Sequence, residues 1–168
     1  VSDPVAPVAS GAPVASGAPV AVTVRPVAPG DHEEWQALYV GYGEFYHSPT
    51  AGDIATRVWG WLLDPTHETE GFVAVDASSG RLLGLAHVRE FARPLAGARG
   101  LYLDDLFVAP DARGRGVATA LLGSVRSLAA ARGLDVVRWI TASDNTTAQR
   151  VYDKLADKTH WVTYNITV

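Results

Sequence analysis

Residues Leu101 to Ala118 constrain this chain more than any other stretch. Leu101-Tyr102-Leu103-Asp104-Asp105-Leu106-Phe107-Val108 reads as a strand, and Ala109-Pro110 stops it, because proline lacks the N–H that a ladder needs. The turn Asp111-Ala112-Arg113-Gly114-Arg115-Gly116 follows, and a helix is predicted from about Val117 to Arg132. Leu121, Leu122, Val125, Leu128 and Ala129 keep the helical period there, and Gly133 stands where a C-terminal cap belongs. A strand that hands over to a helix through glycines leaves the first helical N–H groups without partners, at the positive end of the helix dipole. Such a turn suits phosphate oxygens. Gly114 and Gly116 let backbone approach a ligand, and Arg113 and Arg115 add charge. An ordinary basic loop has the same composition, so the turn alone leaves both readings open.

No lysine follows Gly116, which excludes the nucleoside-triphosphate loop GxxxxGK[ST]. The glycine spacing and the late position do not suit a dinucleotide fold either.

The rest of the chain alternates. A strand is predicted at Val22–Val27, then a helix from Gly30 with Asp31 as N-cap, carrying Trp35, Leu38 and Tyr39. A second helix spans about Ala51 to Leu63. Strands at Phe72–Val75 and Leu82–Val88 flank the turn signal Ser78-Ser79-Gly80. Further strands are expected at Val136–Thr141 and His160–Val168, with a helix from Asn145 to about Leu155 between them. That order predicts an α/β domain on a mixed central sheet flanked by helices, covering residues 21–168. Residues 1–20 repeat Pro-Val-Ala-Ser-Gly-Ala. A proline every six residues blocks helix and central strand alike, so a flexible tail is expected.

With 168 residues, one buried core is the expected organisation. The net charge of −4 argues against nucleic acid as the main partner. Zero cysteines remove disulfides, thiolate metal sites and a thioester-enzyme mechanism. No metal site is expected. No apolar run reaches the roughly 20 residues of a membrane span, and the N-terminus does not read as a signal peptide. A cytoplasmic protein without a membrane partner is the expectation.

Arg113-x-x-Gly116-x-Ala118 resembles the (Gln/Arg)-x-x-Gly-x-(Gly/Ala) signature of the GNAT acetyltransferase superfamily. Asn145-x-x-Ala148-x-x-x-Tyr152 is similar to that superfamily's second motif, and the motifs occur in its order. The resemblance covers about Val22 to Val168. It implies the GNAT fold and acetyl-CoA as co-substrate. The pyrophosphate would lie on Arg113, Gly114, Arg115, Gly116, Val117 and Ala118, with Thr119 next on the helix. It also implies that Asn145 touches the coenzyme and that Tyr152 protonates the departing thiolate. By themselves, Tyr152 could be a packed aromatic and Asn145 a helix cap.

The resemblance places a backbone donor for the thioester oxygen at Leu106, Phe107 or Val108, with Phe107 favoured and Val108 adjoining it. Tyr102-Leu103-Asp104-Asp105 resembles the Tyr-Leu-Glu-Asp of diamine and polyamine acetyltransferases, which implies that Asp104 sits near the amine. An Asp104 salt-bridged to an arginine is the alternative. Strict alternation puts Tyr102, Asp104 and Leu106 on one face and Leu103, Asp105 and Phe107 on the other. Tyr42 and Glu44, in the cluster Tyr39–His47, are candidate substrate residues, since aromatics with a carboxylate suit an alkylammonium. His87 and Glu90 come next.

The expected function is acetyl transfer to a small cationic amine, polyamine-like or amino-acid-like. The alternatives are protein lysine or aminoglycoside as acceptor, or a CoA-binding module without catalysis. The resemblance implies a homodimer paired through C-terminal strands. One departure is that the Gly-Phe common after the tyrosine is replaced by Lys154-Leu155-Ala156-Asp157-Lys158.

Overall fold

A computed structural model describes residues 21–48, 50 and 52–168. The repeat at residues 1–20 lies outside the described residues.

Five strands form one sheet in the order β1-β2-β3-β4-β5. They are β1 (Val22–Pro26), β2 (Thr69–Asp76), β3 (Leu82–Arg93), β4 (Ala98–Val108) and β5 (Val137–Arg138). The first four pair antiparallel, and β5 joins β4 in parallel. Helices α1 (His32–Phe45) and α2 (Asp53–Leu63) contribute Trp35, Leu38, Tyr39, Ala55 and Val58 to the core. Helix α3 (Val117–Ala131) adds Val117, Leu121, Leu122, Val125 and Ala129. A short α4 (Thr146–Tyr152) follows β5. Because both faces of the sheet are covered, β3 is buried without interruption from Leu82 to Val88, with no polar alternation. This is the mixed, helix-flanked α/β architecture expected from the order of elements.

The β2–β3 hairpin turns at Asp76, whose carboxylate accepts from Ser78 N–H at 2.8 Å and Ser78 hydroxyl at 2.6 Å. Both bonds are made to the ionised form, and they hold the Asp76 carboxyl below its ordinary range. Asp31 precedes α1 but does not cap it. Its carboxylate is turned to Arg25, at 2.6 and 2.8 Å, and to Ala28 N–H. A guanidinium within reach is the stronger partner for a carboxylate than a single helical N–H.

Two expected strands fall short. The stretch 136–141 pairs only at Val137–Arg138, and His160–Val168 forms no strand. Trp161, Tyr164 and Ile166 stand exposed along it. Alternation makes a segment able to pair, but pairing also needs a partner strand alongside it, and β5 is only two residues long.

Candidate active site

The site grows from an irregularity in β4. His87 pairs with Asp105, yet the next residue, Val88, pairs with Leu103, so Asp104 is an extra residue opposite the junction. This is a β-bulge. It breaks strict alternation. Leu103 pairs with Val88, one residue beyond His87, whereas Asp105 and Phe107 share the α1 face with His87. Asp104 lies within electrostatic reach of Asp105 and His87. The expectation that the two carboxylates point to opposite faces is therefore corrected: the bulge gathers them.

The two are held differently. Asp104 faces Arg89, whose Nε lies 3.2 and 3.0 Å from its two oxygens, and the guanidinium stacks over Tyr102 at 5.0 Å. Burial pushes the Asp104 carboxyl up more than Arg89 draws it down. Asp105 instead meets His87, 2.8 Å from Nδ1. His87 is 1% exposed, and its Nε2 accepts from Trp35 Nε1–H at 3.1 Å. Tyr42 stands beside Asp105; burial first, and that carboxylate second, push its phenol well above the usual range.

Tyr152 ends α4, packed edge-on against Trp139 at 5.3 Å. Its field reaches Tyr42, and Tyr46 lies close to both. Burial pushes the Tyr152 phenol up to about 12. Tyr42, Asp105, Tyr46 and Tyr152 thus converge from three elements and the end of α1. Glu44 does not join them. It lines a groove of about 610 Å³ with Glu34, Gly41, Arg81, Phe107 and Pro110. Glu90 is tied to Arg99 at 3.0 Å and to Arg132 at 3.3 Å.

The backbone of β4 is open along one side. Ala109 N–H bonds to Leu83 carbonyl at 2.9 Å. By the two-residue period of the ladder, Phe107 N–H also faces β3, while Leu106 and Val108 N–H face the opposite edge. There β5 has already ended, since it pairs only at Leu101 and Tyr102. Directly beyond, Gly114 and Gly116 adopt φ of 72° and 86°, and Gly116 is the residue before α3. A Cβ built on Gly116 meets nothing within 4 Å. Its left-handed backbone leaves open space beside the first N–H groups of α3, which have no intrahelical partner.

The arginines of the turn are engaged with the protein. Arg113 Nε bonds to Val108 carbonyl at 3.2 Å, and its guanidinium lies 5.7 Å from both the Phe45 and Phe107 rings. Arg115 acts on the Asp76 carboxylate. Asn145 caps α4, its Oδ1 accepting from Ala148 N–H at 3.2 Å. The Thr141 hydroxyl, on the stretch between β5 and α4, is buried without a protein partner.

The acetyltransferase (GNAT) family profile matches residues 32–156. The chain belongs to that family. The acetyltransferase is 32% identical over 143 residues to the D-amino-acid N-acetyltransferase HPA3 of Saccharomyces cerevisiae, covering 85% of this chain and 89% of that one. It is 34% identical over 145 residues to a mycothiol acetyltransferase of Pseudarthrobacter chlorophenolicus, covering 80% of this chain but 42% of that protein. Its fold matches a ribosomal-protein-alanine N-acetyltransferase from Brucella melitensis biovar Abortus 2308 with a TM-score of 0.74 and 23% identity, over 88% and 100% of the two chains. An aminoglycoside N-acetyltransferase in complex with CoA matches with a TM-score of 0.75 at 20% identity, over 88% and 95%.

The protein is an N-acetyltransferase that uses acetyl-CoA as its acetyl donor. The free edge of β4 offers hydrogen-bonding backbone to an extended chain, and the cradle at Gly116 offers N–H donors and room to a diphosphate. These residues fit the group. No described helix is long and apolar enough to cross a membrane. Among the described residues, no cluster of three or more His, Asp or Glu could hold a metal ion.

Proposed function

We propose that the acetyltransferase moves the acetyl group directly onto a small cationic primary amine, polyamine-like or amino-acid-like. The observation that carries this reading is the bulge, which gathers Asp104 and Asp105 on the side where Asp105 meets Tyr42, a phenol within electrostatic reach of Tyr152. The Asp105 carboxylate attracts an ammonium before the reaction, and that of Asp104 can take its proton. Asp104 suits the second role, because burial raises its affinity for a proton while Arg89 keeps it oriented. A water bridging from the amine would suit the short aspartate side chain.

Acetyl-CoA supplies an activated thioester. In this reading the pyrophosphate lies on the turn from Arg113 to Ala118, with Thr119 next on α3. The pantetheine follows the open edge of β4, where Val108 N–H is a donor. Leu106 N–H, rather than that of Phe107, meets the thioester oxygen as negative charge develops. Tyr152 stays protonated through the neutral range and gives its O–H to the leaving sulfur. Asn145, capping with its oxygen, keeps its amide N–H groups for the coenzyme.

The similarity to a D-amino-acid N-acetyltransferase, over most of both chains, supports an amino-acid-like acceptor. The test is acetyl-CoA turnover with purified protein against D- and L-amino acids, diamines, an aminoglycoside and a lysine peptide. A small cationic amine as the best acceptor supports the reading. Turnover confined to a neutral acceptor or to the peptide refutes it.

A further inference from the structure

Trp35 and His87 have no part in the mechanism above, yet they join the protein core to Asp105. Trp35 Nε1 can only donate. Its bond to His87 Nε2, at 3.1 Å, therefore requires that nitrogen to be unprotonated. The ring's single proton then sits on Nδ1 and is donated to Asp105 Oδ2 at 2.8 Å. The ring is locked around this bond: Trp35 and Tyr39 pack on it at centroid distances of 5.9 and 5.7 Å, and it is 1% exposed. A neutral imidazole donates a hydrogen bond to the carboxylate without cancelling its charge.

The other carboxylates of β3 and β4 are each paired with an arginine. Asp104 is paired with Arg89. Glu90 and Glu70 are paired with Arg99 and Arg132. Asp105, with about a quarter of its side chain exposed (26%), has no arginine partner among the described residues and faces Tyr42. A site with one such carboxylate takes one cationic head.

We propose that His87, held as its Nδ1–H tautomer by Trp35, is a positioning residue that aims Asp105 at a single ammonium group, so that the acceptor is a monoammonium amine, not a diamine. This rests on the amine-acetylation reading above, and it narrows the acceptor to one cationic centre with an amino-acid-like or simple alkyl body. Asp105 holds the amine, and the proton leaves to Asp104.

The test separates the two claims by reading binding without turnover. The probes are ethylammonium and putrescine, titrated into the protein while the Asp105 carboxyl ¹³C resonance is followed; acetyl-CoA affinity is measured in parallel. In the wild type, ethylammonium moves that resonance, and putrescine binds no more than about twofold tighter, the statistical factor for two equivalent ends. His87→Leu removes the donor and is expected to weaken ethylammonium by about tenfold or more, with acetyl-CoA affinity unchanged. His87→Asn, whose amide can still reach Asp105, restores most of that loss. Should His87→Leu fail to fold, Trp35→Phe frees Nε2 while keeping an aromatic ring. Imidazole ¹⁵N shifts then change from a single Nδ1–H form to a tautomer mixture, and ethylammonium weakens. The proposal is overturned if putrescine binds about tenfold tighter than ethylammonium, if His87→Leu leaves ethylammonium affinity intact, or if acetyl-CoA affinity falls with it. It is also overturned if the wild-type ring carries its proton on Nε2. A wild type that binds ethylammonium as described but acetylates no amine would sink the proposed function and leave the positioning role standing.

Discussion

Replacing Gly116 by alanine separates a helix cap from a phosphate cradle. Gly116 holds φ of 86° and ψ of 1°, and an added Cβ meets no atom within 4 Å. The folded protein therefore suffers backbone strain alone, about 1–2 kcal/mol for an L-residue in the left-handed region. For a domain of this size that lowers Tm by about 2–8 °C. If the turn only ends a loop, the effect stops there. If it cradles a pyrophosphate, the empty space beside Gly116 is ligand space, and the methyl group stands in it. Losing one hydrogen bond to a charged oxygen is worth about 1.5–3 kcal/mol, or about 10- to 150-fold in acetyl-CoA affinity. Thermal melts and calorimetric titration of acetyl-CoA read the two effects separately. A Tm loss in that range with unchanged acetyl-CoA affinity would refute the cradle.

Two further outcomes follow from the tyrosines. Tyr152→Phe keeps the ring that packs on Trp139 and removes the proposed acid, so kcat should fall by about 10²- to 10⁴-fold with acetyl-CoA affinity little changed, as read by initial rates and titration. Burial holds the Tyr42 and Tyr152 phenols above their unfolded value. The native state therefore keeps these protons longer than the unfolded chain: their contribution to stability is full below about pH 10 and is lost as pH rises through the folded value, about 12 for Tyr152. Denaturant midpoints should be flat across neutral pH and decline above about pH 10, less steeply in Tyr152→Phe; identical alkaline slopes would contradict the burial of Tyr152.

The parts of the site that were legible in the sequence are those set by local chemistry. A proline after an apolar strand, glycines before a periodic helix, and an Asn two turns ahead of a Tyr each have a short-range cause, and β4, α3 and α4 formed around them. The bulge was not legible, because one extra residue at Asp104 depends on how β3 and β4 register, and strict alternation grouped Asp105 with Leu103, which pairs one residue further along β3. His87 read as a minor candidate. Its role depends on Trp35, 52 residues away, which no spacing rule connects. The C-terminal stretch misled in the opposite direction: Val162, Tyr164, Ile166 and Val168 alternate as a strand does, but alternation does not say which strand, if any, will lie alongside. Backbone direction was equally hidden, and with it the choice between Leu106 and Phe107 as the donor.

The most direct test of the account is a crystal structure of the protein with acetyl-CoA. The account predicts the pyrophosphate on the N–H groups from Gly114 to Ala118 and the pantetheine along the open edge of β4. The thioester oxygen should lie within hydrogen-bond reach of Leu106 N–H, and its sulfur should face Tyr152. Acetyl-CoA seated instead in the groove between α1 and Pro110, lined by Glu44 and Arg81, would contradict it.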